Sequence, residues 1–440
     1  MKTVHHWDWW GYRFPVRTRR TSLALASLLL TAGVAGTASS PAGAVSQPRQ
    51  VSYHSWASGK QLATGTSDGV AVSRGQLLVD APRLRSTRAG TAYDVGRWTS
   101  PWVTPGFGLT ELVPSWEART PEGTFVQVQV RGVSEGGTRG SWDTLGQWAS
   151  GDRAVHRTSQ GAQADDVAHV ATDTWIANYG TITSWQLRVS LFRKSGTTLT
   201  PRLDTVGAMV SELPPVDRVP TSRPGVGRGI VLDVPTYSQM IHAGEYPQYG
   251  GGGEAWCSPT STTMVLGYYD ALPKPAEYAW VKRSYADRVV DHSARMTYDY
   301  GYDGTGNWPF NTAYAANHAG HAFVTRFKSL VGVERLVAAG IPVVTSVTFG
   351  RGELHGAPIS ATNGHLVVVV GFTQDGDVVV NDPAASSAAG VRRTYDRGEF
   401  ENAWFKRYPS GGSMRGSGGL AYVIRDDAHP LPARRGTTAW

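Results

Sequence analysis

The sequence predicts a multidomain chain, an N-terminal all-β sandwich followed by an α+β domain. Three observations carry this. Strict two-residue alternation recurs through the first half. A proline-rich stretch at 213–225 interrupts the chain. Beyond it, helical periods come first and apolar strands later.

In the first half, Phe125-Val-Gln-Val-Gln-Val-Arg131 places Val126, Val128 and Val130 on one face. Trp185-Gln-Leu-Arg-Val-Ser-Leu191 does the same with Trp185, Leu187, Val189 and Leu191. Each reads as a half-buried antiparallel strand. Gly, Asp, Ser and Thr clusters separate such segments, and no long helical period intervenes. The β-domain is assigned to 45–212. It holds Trp98, Trp102, Trp116, Trp142, Trp148, Trp175 and Trp185. Exposed rings of this kind stack on sugars, so glycan contact is one expectation; filling the core is the other. The layout resembles jelly-roll accessory modules attached to secreted bacterial hydrolases.

Residues 213–228 read as an extended linker. The second domain is assigned to 229–426. Cys257–Tyr269, Trp308–His318 and Val333–Ala339 have helical periods, and Ile341–Phe349, His365–Phe372 and Asp377–Asn381 read as strands. The tail, 427–440, is expected to be disordered.

The net charge of +7 invites a nucleic-acid reading, but its origin argues otherwise. Residues 1–44 carry Lys2, Arg13, Arg17, Arg19 and Arg20 against Asp8, a net +4, which leaves 7 − 4 = +3 for the remainder. That segment has a basic stretch, an apolar run from Leu23 to about Ala35, and the small-residue site Ala42-Gly43-Ala44. It reads as a cleaved signal peptide, because spanning a bilayer takes about 20 apolar residues. The Arg19-Arg20 pair leaves the twin-arginine route open beside the general one. The expected location is therefore outside the cell, with no membrane span in the mature chain and no nucleic-acid partner.

A secreted chain with one cysteine forms no internal disulfide. Cys257 is then either a small buried hydrophobe or a nucleophile. It follows Gly250-Gly-Gly-Gly-Glu-Ala-Trp and opens a helical period with Pro259 in its first turn. A helix start favours thiolate over thiol. No Gly-Lys-Ser/Thr follows the glycines, so they are not a phosphate loop.

A thiol of this kind needs a base. Among 12 histidines, His365 opens the apolar run Leu366-Val-Val-Val-Val-Gly-Phe372 and would project from a rigid sheet edge. His355 lies in a glycine-rich loop and reads as a surface residue, and His292, His318 and His321 as helix-surface or core-edge residues. No spacing of histidines with Cys257 suits zinc, so no metal and no cofactor are expected. The turn Gln374-Asp-Gly-Asp377 predicts a hairpin that returns Asn381-Asp382 toward His365. Asp382 is the preferred orienter, with Asn381 the alternative. Gln239, 18 residues before Cys257, is a candidate donor to an oxyanion.

Val234-Pro-Thr-Tyr-Ser-Gln239, Trp256-Cys-Ser-Pro-Thr-Ser261, Gly364-His-Leu-Val-Val-Val-Val-Gly-Phe372 and Val380-Asn-Asp-Pro383 together resemble the papain-like cysteine peptidases related to bacteriocin-processing peptidase domains, the peptidase C39-like family. The match spans roughly residues 230–425 and is strongest to the secreted, stand-alone branch. The resemblance implies a papain-like fold with Cys257 as nucleophile, His365 as base, Asp382 as orienter and Gln239 in the oxyanion hole. It also implies that the segment Gly304–Asn311 lines the cleft. Trp308 and Trp256 are accordingly expected to contact substrate. Where the family has glycine after the cysteine, this chain has Ser258, which bears on the approach to the sulfur.

The expected function is a secreted cysteine peptidase that cuts an amide bond through a thioester, acting on a peptide or protein. Two relatives of this reading stay open: a cell-wall peptide amidase, and an acyltransferase with the same triad. A non-catalytic glycan- or surface-binding protein is the competing class.

Overall fold

The computed structural model describes residues 48–440, apart from 162, 165, 411–412 and 434–439. The expected signal peptide and residues 434–439 of the expected disordered tail lie outside the described residues. Of the rest of that tail, His429 hydrogen-bonds Asp426, and the buried Trp440 donates to the Pro432 carbonyl at 3.2 Å.

The chain is mostly β-sheet with few helices, in a two-domain layout. In the first domain, two antiparallel sheets of seven and six strands share one core. The first sheet centres on Arg202–Glu212, paired with Glu111–Arg119 on one side and with Gln50–Trp56 and Gln76–Val79 on the other. The second centres on Ile182–Lys194, between Thr91–Thr99 and Phe125–Ser134. The alternation sets this arrangement: Val126, Val128, Val130, Trp185, Leu187, Val189 and Leu191 are all fully buried. Trp56 from one sheet meets Trp98 and Trp185 from the other edge-on, with ring centroids 5.4 and 6.0 Å apart.

Five of the seven tryptophans singled out in this domain (Trp98, Trp116, Trp148, Trp175 and Trp185) are core residues. The other two stand in a surface ladder with arginines. Arg188 lies 3.9 Å and Arg131 4.4 Å from the Trp142 ring. Arg131 and Arg139 flank Trp102 at 5.2 and 5.4 Å. Cations thus occupy the ring faces that a sugar would use.

The second domain has a six-stranded antiparallel sheet in the order His321–Arg326, Leu420–Arg425, Val343–Phe349, Thr362–Phe372, Val378–Asn381, Arg392–Tyr395. The helices Cys257–Tyr268, Val289–Thr297 and Trp308–Ala319 pack together, and Leu330–Val337 and Arg397–Phe405 complete the set. Asn307 caps the Trp308 helix by accepting from the Phe310 N–H at 3.1 Å, with proline next in the first turn.

Residues 48–440 form one compact unit. Buried polar contacts join the two domains. Glu111 of the first accepts from both Arg326 (2.5 Å) and Arg407 (2.6 and 3.0 Å) of the second. Burial alone would raise the Glu111 pKa, but the two guanidiniums drive it well below the usual carboxylate range. Removing one partner of such a group costs about 3–5 kcal/mol. Arg157 reaches the Arg295 carbonyl at 2.8 Å, and Phe310 lies 5.5 Å from Trp148. The stretch 213–228 is laid against the second domain as a strap. Val216 bridges Arg407, the Val219 N–H reaches Asn402 at 2.7 Å, and Arg397 grips the Ser222 carbonyl at 2.8 Å.

Candidate active site

Cys257 is the first residue of its helix and is partly exposed. The glycines before it supply conformations a side chain would resist: Gly250, Gly251 and Gly252 have φ of 74°, 100° and 110°. Gly253 is confined by contact, since a Cβ there would stand 2.4 Å from the Gln239 carbonyl oxygen. This close crossing lays the Gln239 segment against the residues that lead into Cys257.

His365 is 3% exposed, and its Nε2 lies 2.7 Å from Asp382 Oδ1. Cys257 stands close enough to the ring to act on its titration. Since Nε2 is committed to Asp382, Nδ1 is the atom that serves the thiol. Burial by itself would lower the His365 pKa. The Asp382 charge and hydrogen bond, and then Cys257, outweigh it and raise the ring to about 10. At neutral pH the imidazole therefore holds a proton beside the sulfur.

Asp382 is 1% exposed and fully engaged. Its Oδ2 accepts from the Tyr395 hydroxyl at 2.7 Å, and Oδ1 also accepts from the Ala384 N–H at 3.0 Å. Burial raises its pKa, but His365, Tyr395 and that N–H together bring it below the ordinary value.

The choice between Asp382 and Asn381 is made by a bulge. Phe372 pairs with Val378 and Gly371 with Val379, but Val369 then pairs with Val380 and Val368 with Asn381, leaving Val370 extra. Continued past its last pair, this register sets Asp382 opposite Val367, two residues from His365 on the same face. In a regular hairpin Asn381 would share that face instead. The bulge occurs where residues 230–232 cross the strand: Leu232 N–H reaches the Val370 carbonyl at 2.8 Å, and Phe372 N–H the Ile230 carbonyl at 2.8 Å. Asn381 turns the other way and ties down the Val234 and Pro235 carbonyls at 3.2 and 3.0 Å.

Gln239 is 3% exposed, in the short helix Gln239–His242. Its Nε2 donates to the Glu254 carbonyl at 2.8 Å, and its backbone N–H to the Pro383 carbonyl at 2.9 Å. The residue is thus clamped between the segment before Cys257 and the segment after Asp382, with one amide hydrogen left over. Ser258 is fully buried and shares a hydrogen bond with the Tyr422 hydroxyl at 2.9 Å, so its side chain points into the sheet.

Trp308 is half-buried at the start of its helix, and its N–H donates to Asp173 of the β-domain at 2.8 Å. Burial lifts the Asp173 carboxyl to about 7 against the pull of Trp308 and Thr174. Trp256 is fully buried, with its Nε1 donating to the Tyr249 carbonyl at 2.6 Å and its ring against Val290 and Ala294. It immediately precedes Cys257, and no surface of its ring is open to a substrate. Three participants escaped the sequence reading: Tyr395, which braces Asp382; Asp173, which reaches in from the other domain; and Tyr302, close enough to Cys257 for the sulfur's charge to act on its phenol. For Tyr302 the glycine-rich run Gly301–Gly306 was a usable signal; for the other two, the sequence offers none.

His355 is largely exposed and paired with Glu399 at 2.6 Å. Burial pushes His292 down to about 4.

Residues 52–211 match the family model of the Peptidase C39 N-terminal domain, and residues 231–410 that of the Peptidase_C39 like family. No curated protein matches the chain. Among solved structures, infectious bursal disease virus of the Gt strain is matched at 11% identity over 40% of this chain and 36% of the other, TM-score 0.20. An N-terminal endo-1,4-β-D-xylanase of Clostridium thermocellum, complexed with xylohexaose, is matched at 13% over 45% and 32%, TM-score 0.18. The chain spans about a third of the length of these structures, and likenesses this slight carry no argument.

Proposed function

We propose, from the premise that this chain belongs to the C39-like peptidase family, that it is a secreted cysteine peptidase with Cys257, His365 and Asp382 as its triad. The family itself indicates a peptidase acting on peptide or protein. The triad, the export and the thioester route go beyond what the family indicates. A papain-like arrangement, with the nucleophile at a helix start and the base on the facing sheet, and a jelly-roll-like first domain belong to it as well.

The observation that carries the reading is the buried His365–Asp382 hydrogen bond beside Cys257, with the imidazole raised to about 10. Such a histidine stabilises a neighbouring thiolate. The thiolate adds to the scissile carbonyl, and the oxygen takes up the negative charge. The Cys257 N–H, unpaired at a helix start, and the spare Gln239 amide hydrogen are the donors for that charge. His365 gives its proton to the leaving amine as the C–N bond breaks, and a thioester remains. Water then attacks, His365 takes its proton, the C–S bond breaks, and the acid leaves. Asp382 holds the ring and balances its charge throughout. Residues 1–44, with their basic start, apolar run and Ala42-Gly43-Ala44 site, support export.

Digestion of a peptide library by wild type and Cys257→Ala tests this. Cleavage at a restricted set of sites by wild type alone is expected. Equal cleavage by both proteins, or none by either, contradicts the reading.

A further inference from the structure

A second buried histidine, next to Trp256, sits among carboxylates in a different way. The His242 side chain is 1% exposed and that of Asp291 is 0% exposed. Together with Glu245 they bring one ligand atom each within 4.8 Å of the others. His242 Nδ1 lies 2.9 Å from Glu245 Oε2 and 3.3 Å from Asp291 Oδ2. One ring nitrogen carries at most one hydrogen, so a hydrogen bond to Glu245 leaves Asp291 unserved. Neither Asp291 oxygen has a hydrogen-bond partner, although both are buried. Among the described residues, His242 is the only ion-pair partner of either carboxylate.

A carboxylate buried without donors is costly. Protonating His242 does not remove the problem, because two carboxylates against one imidazolium still leave a net charge of −1. A divalent cation removes it. With a neutral imidazole and two carboxylates the cluster becomes uncharged, and the unused lone pairs of Asp291 gain a Lewis acid to donate to.

We propose that His242, Glu245 and Asp291 bind one divalent cation of the zinc or manganese class, through His242 Nδ1 and the two carboxylates. The donor set selects the class. Calcium and magnesium prefer oxygen alone, whereas one imidazole with two carboxylates suits zinc and its first-row neighbours. Metal bonds of about 2.0–2.2 Å put ligand atoms about 3–4 Å apart, so this trio needs little movement to close on an ion. Glu245 is the partly exposed member and provides the side from which water completes the shell.

The cation has a positioning role. His242 ends the helix that carries Gln239, and Asp291 belongs to the helix Val289–Thr297 whose Val290 and Ala294 pack on Trp256. The ion ties together the two elements that flank the residue before the nucleophile. This role rests on the peptidase reading, whereas the binding itself does not.

Because Cys257 and His365 also attract soft cations, the test uses the full chain carrying Cys257→Ala. The protein is stripped with a chelator and titrated calorimetrically with zinc, manganese and calcium salts in turn. One equivalent of zinc or manganese is expected, with a higher Tm on loading. Glu245→Gln and Asp291→Asn should each weaken binding at least about a hundredfold. Glu245→Gln lies at the partly open edge and keeps the test decisive where the buried Asp291→Asn fails to fold. Absence of a zinc or manganese equivalent overturns the site, as does unchanged affinity in folded Glu245→Gln. Binding of calcium alone overturns the assigned class.

Discussion

Among the described residues, His365 and His242 are both buried against carboxylates, and the two clusters differ in how completely the acids are served. At His365 there is one carboxylate, Asp382, and three donors converge on it: the ring, the Tyr395 hydroxyl and the Ala384 N–H. At His242 there are two carboxylates, and Asp291 receives no hydrogen bond. The first arrangement is closed and holds a proton at a defined atom, which suits acid–base work. The second is short of positive charge, which suits an ion. The same residue types thus serve opposite ends, and the count of donors around each acid is what separates them.

Substitutions around the first cluster break or sharpen this contrast. The largest effect is expected at the base. His365→Ala should lower kcat/KM by about 10²–10⁴-fold on any cleaved peptide, with Cys257 alkylation at pH 6 slowed in parallel. Next comes Asp382→Asn, which keeps the shape and removes the charge. The His365 pKa should fall from about 10 toward its ordinary 6.5, and kcat/KM at pH 8 should drop by about a hundredfold or more. The sign follows from linkage. A histidine raised in the folded state contributes stability that is whole below pH 6.5 and lost as pH climbs toward 10. The stability difference between wild type and Asp382→Asn should therefore shrink across that window, as urea unfolding at several pH values would reveal.

A smaller effect is expected at Tyr395→Phe, which removes one donor from Asp382. A hydrogen bond to a charged group contributes about 1.5–3 kcal/mol, so kcat/KM should fall by about 10–100-fold with KM little changed. The smallest belongs to Asn381→Ala. Asn381 holds the Val234 and Pro235 carbonyls and faces away from His365. It should cost about 1–3 kcal/mol of stability, seen as a lower Tm, with kcat within about threefold of wild type. If Asn381→Ala were instead the more damaging of the neighbouring pair, the orienter would have been misassigned.

Much of this was legible in the sequence. Alternation located Phe125–Ser134 and Ile182–Lys194, and a helix begins at Cys257 as its local pattern requires. The Asp-Gly turn brings Asp382 back toward His365. The reason Asp382 and not Asn381 faces the ring was not legible. It depends on the extra residue at Val370, imposed by residues 230–232 crossing the strand, and no local pattern announces a bulge. The packing of the strap was not legible for a similar cause. Proline-rich composition indicates an extended chain, which 213–228 is, but not that Arg397, Asn402 and Arg407 hold it in place. Helix Val289–Thr297 escaped notice because much of what it buries is polar, including Asp291, His292, Ser293 and Thr297, which leaves few apolar residues to mark the period. The trio at His242 was equally hidden. Its members are separated by up to 49 residues, and only packing brings Asp291 to the other two.

The central claim is that Cys257 is a nucleophile activated by His365 and Asp382. Its most direct test is the rate of Cys257 alkylation between pH 5 and 10, in wild type and in Asp382→Asn. With a single cysteine in the chain the label reports one site. Wild type should react at pH 6 far faster than free cysteine, and should lose that advantage in Asp382→Asn. A wild-type rate that tracks free cysteine across the range, unchanged by the substitution, would contradict it.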